Sequence, residues 1–453
     1  MAEKLFGTDG MRGIANTYPL TIDFCTKLAV VLSSAVCTKH HKVAVARDTR
    51  ISSNMLFCAL ASGFNSQGID VIDLGVIPTP LSTTLTPKLN VDMTVMITAS
   101  HNPYQDNGLK LINSKGDKFS DTQTAQIEDL LAQPYQPHYD SEKIGSLTTL
   151  ACGKEEYLSL VQKLAPSEAL KGFKIVIDSA NGSFSGILGS IFRYLGAEII
   201  SLADSPNGYN INKDCGSQHT DELCRTVVDK HYDIGIAVDG DGDRIIICDE
   251  KGKRLDGDQI IAYLATYMQK HRLLSSDSVV STVSSNMGLG KYLSSLGLNH
   301  HVSDVGERYV IAKMRETEAN LGGEESGHMV LSDYSNTGDA AVAAVVICLG
   351  IKEDGRKVSE IFPLFQPFPT ETQNVRFDNK QIIEQLMASQ KLKQKITDIS
   401  NILQGTGKIL VRKSGTEPLI RLKIESENAE TAKTLMASLS DCLNEIAEEI
   451  QNT

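Results

Sequence analysis

The sequence predicts an α/β protein with three successive domains on mixed or parallel sheets, followed by a C-terminal α+β domain. At 453 residues the chain has room for about three domains or more. Strand and helix patterns alternate through most of it, which is typical of sheets covered by helices. After a segment with three prolines at 362–372, the pattern changes to short strands and one long helix, which indicates a smaller unit of another class.

The first domain is assigned to residues 1–150. Thr21 is a typical N-cap, for a helix that we expect to continue to about Lys39. Apolar strands are expected at 42–46, 69–75 and 93–98, with helices at 53–67 and 79–89 between them. This alternation favours parallel strands, because a crossover between parallel strands usually contains a helix. A stretch rich in proline and polar residues, 133–146, marks the end of the domain.

The remaining boundaries are placed where the pattern changes again. The second domain is assigned to 151–254, the third to 255–367 and the fourth to 368–453. The expected elements are a helix at 153–165, strands at 174–179, 197–202, 233–238, 244–250, 278–283 and 299–305, an apolar helix after Thr337, the strands TQNVRF, KILVRK and LIRLKIES, and a helix at 428–450.

Composition excludes several classes of protein. The net charge is −12 and there is no basic tract, so nucleic acid is not expected as a partner, and any phosphate site must be built from local cations. None of the nine cysteines has C-x-x-C spacing, which disfavours disulfide scaffolding and structural zinc. The longest apolar run, from Ala340, is too short for a membrane span, and the first residues lack the apolar segment of a signal peptide. We therefore expect a cytoplasmic protein without a membrane partner, as a monomer or homodimer.

Ser100 lies in a polar cluster, TASHNP, directly after the predicted strand MTVMIT. Such a cluster is also common in an ordinary turn. The sequence lacks a G-x-S-x-G elbow here, and His101 is the immediate neighbour of the serine, where side chains of an extended chain diverge. Functional residues nevertheless favour the carboxyl ends of parallel strands, and Lys110, ten residues on, could return beside the serine.

Three aspartates alternate in the segment AVDGDGDRI: Asp239, Asp241 and Asp243. In an extended loop all three carboxylates would project to one side and could bind Mg²⁺. Arg244 would add a cation for an anionic ligand. An EF-hand is disfavoured, because its sixth position needs glycine and here holds Arg244. A D-x-D nucleophile of a phosphatase remains an alternative.

Two further loops suggest a sugar phosphate as the ligand. GGEESGHMV offers short-range hydrogen-bonding groups, including Glu324 and Ser326, of the kind that bind vicinal hydroxyls. RKSGTEPLIR combines cations, hydroxyls and free amides around a glycine, which is typical of a phosphate cradle. The glycine-rich segment FGTDGMRG adds Arg12 as a candidate phosphate contact. Each loop alone could be a solvated turn, but together they indicate phosphoryl transfer on a sugar.

TASHNP with NGLK, DGDGDR, GEESGH and RKSGTEP, in this order and at these separations, resemble the motifs of the α-D-phosphohexomutases over essentially the whole chain. The resemblance implies four domains around a central active-site cleft. It also implies conversion of glucosamine 6-phosphate to glucosamine 1-phosphate through a 1,6-bisphosphate, since the opening segment FGTDGMRG is similar to that of the glucosamine-specific branch. Mannose or glucose phosphates are the alternative substrates. A hexose or hexosamine 1,6-bisphosphate is the expected activator.

The resemblance also implies roles for individual residues. Ser100 would be the phosphoserine and would share one Mg²⁺ with the three aspartates. The other implied sites are the phosphoryl-transfer site (Arg12, His101, Lys110 as general base, Arg244), the sugar hydroxyl site (Glu324, Ser326) and the site of the distal phosphate (Arg412, Ser414, Gly415, Thr416, Arg421). Glu325 stands where many relatives carry an amide, and we expect it to pair with the ammonium of the sugar. A phosphatase or a non-catalytic sugar-phosphate sensor would be the competing classes.

Overall fold

The computed structural model of the protein describes residues 4–134, 140–150, 153–377, 380–413 and 419–451. The chain divides into two compact units. The first comprises the residues up to 282 together with 301–363, and the second comprises 283–300 together with 364–453.

The first sheet, in the first unit, is mixed, and its strands lie in the order β1-β5-β4-β2-β3-β6. Neighbouring strands among β4, β2, β3 and β6 are parallel, whereas β5 runs antiparallel to both β4 and β1. The elements of this part are β1 (Met11–Ile14), α1 (Ile22–Ala35), β2 (Lys42–Arg47), α2 (Ile51–Asn65), β3 (Asp70–Val76), α3 (Thr79–Lys88), β4 (Met93–Ile97), β5 (Asp106–Asn113), α4 (Asp121–Leu131) and β6 (Leu147–Thr149). Every residue of β4 is buried, as its run of apolar and β-branched residues predicts.

Helix α1 begins where its sequence predicts and ends earlier. The side chain of Thr21 caps it by accepting from the backbone N–H of Phe24. Its last residue is Ala35 and not Lys39, because the backbone N–H groups of Lys39 and His40 donate instead to the Asp92 carboxylate. The C-terminal end of this helix is thus decided by a distant side chain.

The second sheet lies in the same unit and has the order β11-β10-β9-β7-β8. β9, β7 and β8 are parallel, and β9, β10 and β11 form an antiparallel meander. Its elements are α5 (Gly153–Leu164), β7 (Lys174–Asp178), α6 (Leu188–Tyr194), β8 (Glu198–Leu202), α7 (Asp221–Lys230), β9 (Ile234–Val238), β10 (Ile245–Asp249) and β11 (Arg254–Leu255). The DGDGDR segment is the connection between β9 and β10.

The third sheet has the order β13-β12-β14-β15, with β12 parallel to β14 and β15 antiparallel to β14. The elements that follow in the chain are α8 (Gly257–Lys270), β12 (Ser278–Thr282), α9 (Met287–Ser295), β13 (Asn299–Ser303), α10 (Glu307–Glu316), β14 (Leu321–Gly323), β15 (Met329–Leu331), α11 (Ala340–Asp354) and α12 (Val358–Ile361). Helix α9 belongs to the second unit. The apolar run from Ala340 forms a buried core helix, capped by the side chain of Asp339.

The second unit contains an antiparallel sheet with the order β16-β18-β17. Its elements are β16 (Thr370–Arg376), α13 (Lys380–Ala388), α14 (Gln390–Ile402), β17 (Gly407–Lys413), β18 (Leu419–Ser426) and α15 (Ala429–Gln451). The helices cover the sheet over a core that includes Leu386, Ile399, Leu422 and Leu439.

The predicted fold class is confirmed: within the described residues, three mixed α/β sheets precede an antiparallel sheet with helices. No helix in that part of the chain is both long and apolar enough to cross a membrane.

Candidate active site

Ser100 is buried just beyond the carboxyl end of β4, in a left-handed backbone conformation with φ of 53°. Its backbone N–H donates to Thr98 Oγ1 at 3.0 Å, and the Thr98 hydroxyl donates to Asp48 Oδ2 at 2.7 Å. A residue with a side chain is disfavoured in this conformation by about 1–2 kcal/mol. The surrounding contacts must therefore hold the serine in place.

The three aspartates between β9 and β10 converge on one point. All three are buried, and a ligand oxygen from each lies within 4.8 Å of the others. The Ser100 hydroxyl donates to Asp239 Oδ2 at 2.5 Å. A serine from the first sheet and carboxylates from the second sheet thus form one site.

Lys110 lies on β5 opposite Met96 of β4, and this hairpin register brings it back to the site. Its ammonium donates to Asp241 Oδ2 at 2.6 Å and to Asp243 Oδ2 at 2.9 Å. Burial by itself would lower the pKa of Lys110, but the carboxylates of Asp241, Asp243 and Asp9 outweigh it and hold that pKa well above the ordinary value. Lys110 is therefore a cation in this arrangement.

Two buried oxygens of the aspartate cluster have no hydrogen-bond partner among the described residues: Oδ1 of Asp241 and Oδ1 of Asp243. Burial, together with the neighbouring Asp243 and Asp241, raises the pKa of Asp239 well above its usual range. Burial also acts to raise the pKa of Asp243, but Lys110 and His328 override it and hold that pKa well below its usual range. Asp243 Oδ1 does lie within ion-pair distance of two cationic groups, His328 Nδ1 at 3.6 Å and Arg244 Nε at 3.8 Å. Clustered carboxylates fit a hard divalent cation, which would offset their mutual repulsion.

The other predicted members of the transfer site surround this cluster. Arg12, on β1, forms an ion pair with Asp9, and its Nη1 donates to Asn102 Oδ1 at 3.4 Å. The backbone N–H of Arg244 donates to Asp239 Oδ1 at 3.1 Å. The Nε groups of both arginines are buried and, within the described part of the chain, have no hydrogen-bond partner. The Arg244 Nε lies 3.8 Å from Asp243 Oδ1, and both guanidinium groups could bind an anionic ligand.

His101 lies beside the serine, with Nδ1 3.4 Å from Ser100 Oγ. Burial, followed by the charges of Arg244 and Arg12, lowers the pKa of His101 to about 3. Its imidazole is therefore neutral near pH 7.

The GEESGH turn joins β14 to β15 and packs against the aspartate loop. The backbone N–H of Ile245 donates to Gly327 O at 2.9 Å, directly after Arg244. Glu324 is buried, and its carboxylate accepts from the Gly306 backbone N–H at 2.9 Å. Ser326 is half-buried on the same turn. The third sheet thus brings this turn next to the residues of the second.

The charge network includes His328 of the GGEESGHMV loop and three residues that were not chosen from the sequence: Asp9, Lys118 and Glu307. His328 lies with Nε2 3.2 Å from Glu307 and Nδ1 3.6 Å from Asp243. Burial alone would lower the pKa of His328, but these two carboxylates raise it to about 10. Lys118 pairs with Glu307 and, at 2.8 Å, with Asp9. Asp9 lies within the quoted FGTDGMRG segment, whereas Lys118 and Glu307 occur as single charges with no local signal.

The predicted site for the distal phosphate belongs to the second unit. Arg412 on β17 is directly opposite Arg421 on β18 in the antiparallel register. Ser414, Gly415 and Thr416 lie outside the described residues. The proposed cradle therefore remains a prediction.

Comparison with known proteins identifies matches along nearly the whole chain. Models of phosphoglucomutase/phosphomannomutase match at 3–138 (alpha/beta/alpha domain I), 155–252 (domain II), 256–368 (domain III) and 373–441 (C-terminal domain). The domain boundaries predicted at 150, 254 and 367 remain predictions.

Two curated relatives are phosphoglucosamine mutases. That of Gluconacetobacter diazotrophicus is 41% identical, over 97% of each chain. That of Granulibacter bethesdensis is also 41% identical, over 98% of each chain.

Solved structures share the fold at lower identity. A phosphoglucomutase/phosphomannomutase family protein of Burkholderia thailandensis has a TM-score of 0.80 at 22% identity and covers 98% of each chain. The N-acetylphosphoglucosamine mutase of Aspergillus fumigatus, in complex with GlcNAc-6P and magnesium, has a TM-score of 0.66 at 16% identity, over 98% of this chain and 96% of that one.

Proposed function

The chain belongs to the phosphoglucomutase/phosphomannomutase family, and we propose that it interconverts glucosamine 6-phosphate and glucosamine 1-phosphate through a phosphoserine at position 100. The observation that carries this proposal is the 2.5 Å hydrogen bond between Ser100 Oγ and Asp239, within a buried cluster of three carboxylates. The curated relatives at 41% identity support glucosamine as the sugar. The product would feed the synthesis of UDP-N-acetylglucosamine.

We assign one Mg²⁺ to Asp239, Asp241 and Asp243, together with an oxygen of phosphorylated Ser100. The convergence of the three buried carboxylates, and the buried Asp241 Oδ1 that has no hydrogen-bond partner among the described residues, support a cation at this position. When bound, Mg²⁺ would neutralise negative charge on the phosphoryl oxygens.

Ser100 itself carries the phosphoryl group in the proposed cycle. The bond between its Oγ and phosphorus breaks as a sugar hydroxyl forms a new bond to the same phosphorus, and the hydroxyl proton passes, in net terms, to Ser100 Oγ. The resulting bisphosphate returns its other phosphate to Ser100 by the reverse step. Because phosphoryl transfer depends mainly on positioning and charge neutralisation, the serine needs no triad.

The surrounding cations stabilise the charge on the phosphoryl group. Arg12 and Arg244 have buried Nε groups without a hydrogen-bond acceptor among the described residues, and we assign both to the phosphoryl oxygens. Lys110, whose ammonium lies 2.6 Å from Asp241 Oδ2 and 2.9 Å from Asp243 Oδ2, is the proposed general base. His101, neutral and beside Oγ, can hold a hydrogen bond to the serine.

The sugar and its distal phosphate would bind to the remaining predicted residues. Glu324 and Ser326, which lie on the GEESGH turn, would form hydrogen bonds with the hydroxyl groups of the sugar. The distal phosphate is assigned to the predicted cradle, which consists of Arg412, Ser414, Gly415, Thr416 and Arg421. A hexose or hexosamine 1,6-bisphosphate would prime the serine. We further propose that the enzyme is cytoplasmic and acts as a monomer or homodimer.

The test is a coupled assay of glucosamine 1-phosphate formation from glucosamine 6-phosphate, with Mg²⁺ and glucose 1,6-bisphosphate. We expect turnover without accumulation of inorganic phosphate. Phosphate release with no isomerised sugar would instead identify a phosphatase. A higher kcat/KM for mannose or glucose phosphate than for glucosamine phosphate would identify the alternative substrates, which the name of the matched family also includes.

A further inference from the structure

The backbone carbonyl of Ser100 is held by Arg50, a residue outside the motifs described above. Arg50 is buried, and its guanidinium donates to four backbone carbonyls of the serine loop and to one carboxylate. The acceptors are Ser100 O at 3.0 Å, Asn102 O at 2.8 Å, Asp106 O at 2.9 Å, Pro103 O and Asp48 Oδ2 at 2.8 Å. A guanidinium has five N–H donors, so its capacity is fully used.

Asn212 reaches the same carbonyls from the other side. It follows the second sheet's strand β8 in the chain, and its side-chain amide donates to Ser100 O at 2.8 Å and to Asn102 O at 3.0 Å. The amide is buried, and it links the serine loop of the first sheet to the part of the chain that carries the aspartates.

The aspartate loop packs directly against this junction. A Cβ placed on Gly240 would lie 2.7 Å from Ser100 O and 2.8 Å from Asn212 Nδ2. Glycine is required here because the loop backbone comes this close to the serine carbonyl. The carbonyl of Ser100 thus fixes the distance between the hydroxyl and its carboxylate partner.

We propose that Arg50 and Asn212 are positioning residues for phosphoryl transfer, which hold Ser100 in its left-handed conformation with Oγ aimed at Asp239. This inference rests on the proposed function. Neither side chain donates to Oγ in the hydrogen bonds described, so each acts through the backbone of the loop. The Nη2 group of Arg50 and the amide of Asn212 both donate to Ser100 O and to Asn102 O, which restrains the Ser100–His101 and Asn102–Pro103 peptide planes.

The test compares Asn212→Gly with Asn181→Gly. Both asparagines are 8% exposed and adopt positive φ, 55° for Asn212 and 48° for Asn181, so glycine suits both backbones. The Asn181 amide donates to Asn210 O at 3.3 Å and to Cys215 Sγ at 3.9 Å, and its Oδ1 accepts from the Ser205 backbone N–H at 3.1 Å; none of these partners lies in the serine loop. The two variants therefore remove the same chemical group at matched positions.

The rate of Ser100 phosphorylation by glucose 1,6-bisphosphate is measured by intact-mass spectrometry, with kcat and KM for glucosamine 6-phosphate. We expect Asn212→Gly to lower the phosphorylation rate and kcat about 100-fold, with KM changed by less than about threefold, since misplacement near 1 Å costs on that order. Asn181→Gly should leave both rates within about threefold of wild type. Equal rates for the two variants would overturn the inference.

Arg50→Lys provides a second route to the same test. It keeps the positive charge but loses the fork that spans the loop, so the same selective loss of kcat is expected. Should Asn212→Gly fail to fold, the kcat and phosphorylation rate of Arg50→Lys test the inference in its place. Wild-type kcat in folded Arg50→Lys would overturn the inference, whereas absence of phosphorylation in wild type would overturn the proposed function and the inference with it.

Discussion

Glu307 offers a sharp test of the buried charge network, through the variant Glu307→Gln. The carboxylate lies at the first residue of α10 and is buried. It pairs with Lys118 and with His328 Nε2, and it accepts from the Thr337 hydroxyl and from the Gly338 backbone N–H at 3.1 Å. Glutamine keeps a carbonyl oxygen for the neutral donors but removes the negative charge.

The expected loss in free energy of unfolding follows from the burial of this carboxylate. Removing one partner of a buried ion pair costs about 3–5 kcal/mol, because the other charge is left uncompensated. The entropy of unfolding grows with chain length, so a given loss of free energy lowers Tm less in a large unit. For the first unit, which contains Glu307, we expect Tm to fall by roughly 5 °C. The variant should therefore be folded at 25 °C but clearly less stable than wild type.

The pH dependence should change as well. Burial lowers the pKa of His328, but Glu307 and Asp243 raise it to about 10, above the value of about 6.5 in an unfolded chain. The resulting stabilisation is fully present below about pH 6.5 and is lost as the pH rises toward about 10. In Glu307→Gln one of the two carboxylates is gone, so the loss of stability across this window should be shallower.

The assay is differential scanning fluorimetry or calorimetry from pH 6.5 to 10, with Glu353→Gln as the control. Glu353 also pairs with a lysine and a histidine, Lys270 Nζ at 2.9 Å and His271 Nε2 at 3.1 Å, but on the surface. Solvent screens that pair, so its removal should leave Tm nearly unchanged. Equal Tm shifts for the two variants, or an unaltered pH profile in Glu307→Gln, would refute the reasoning.

Three further predictions concern the site itself. Asp241→Asn should lower turnover at least about 100-fold and weaken Mn²⁺ binding. Binding is measured from the paramagnetic resonance signal of the free ion, and unchanged Mn²⁺ affinity would contradict the assigned cation site. Gly240→Ala should destabilise the protein by about 1–3 kcal/mol and slow phosphorylation of Ser100, because its Cβ would meet the Ser100 carbonyl at 2.7 Å; wild-type Tm and rate would exclude this clash. Glu325→Gln should reduce the preference for glucosamine over glucose phosphate roughly two- to fivefold, and an unaltered ratio of kcat/KM would refute the pairing with the sugar's ammonium.

The elements of the fold were predictable because their signals are local. The run of apolar and β-branched residues in β4 predicts that strand, and the Thr21 cap predicts the start of α1. The end of α1 was not predictable, since it depends on Asp92, a residue far along the chain, whose carboxylate binds backbone N–H groups after the helix. Distant partners of this kind leave no periodic trace.

The candidate site shows the same division. Ser100 and the aspartates lie in compact motifs, so the sequence could single them out as candidates, and the resemblance to a family supplied the role expected of the serine. Glu307 and Lys118 could not be found in this way, because each is a single charge that becomes part of the network only when separate sheets pack together. Arg50 was missed for a related reason: its role lies in the carbonyls it binds, and carbonyls are present at every residue.

The most direct test of the account is the location of the phosphate after incubation with glucose 1,6-bisphosphate and Mg²⁺, determined by peptide mapping with mass spectrometry. The account predicts one modified peptide, with the phosphate on Ser100, and neither modification nor turnover in Ser100→Ala. Phosphate on another residue of wild type, or normal turnover in Ser100→Ala, would contradict it.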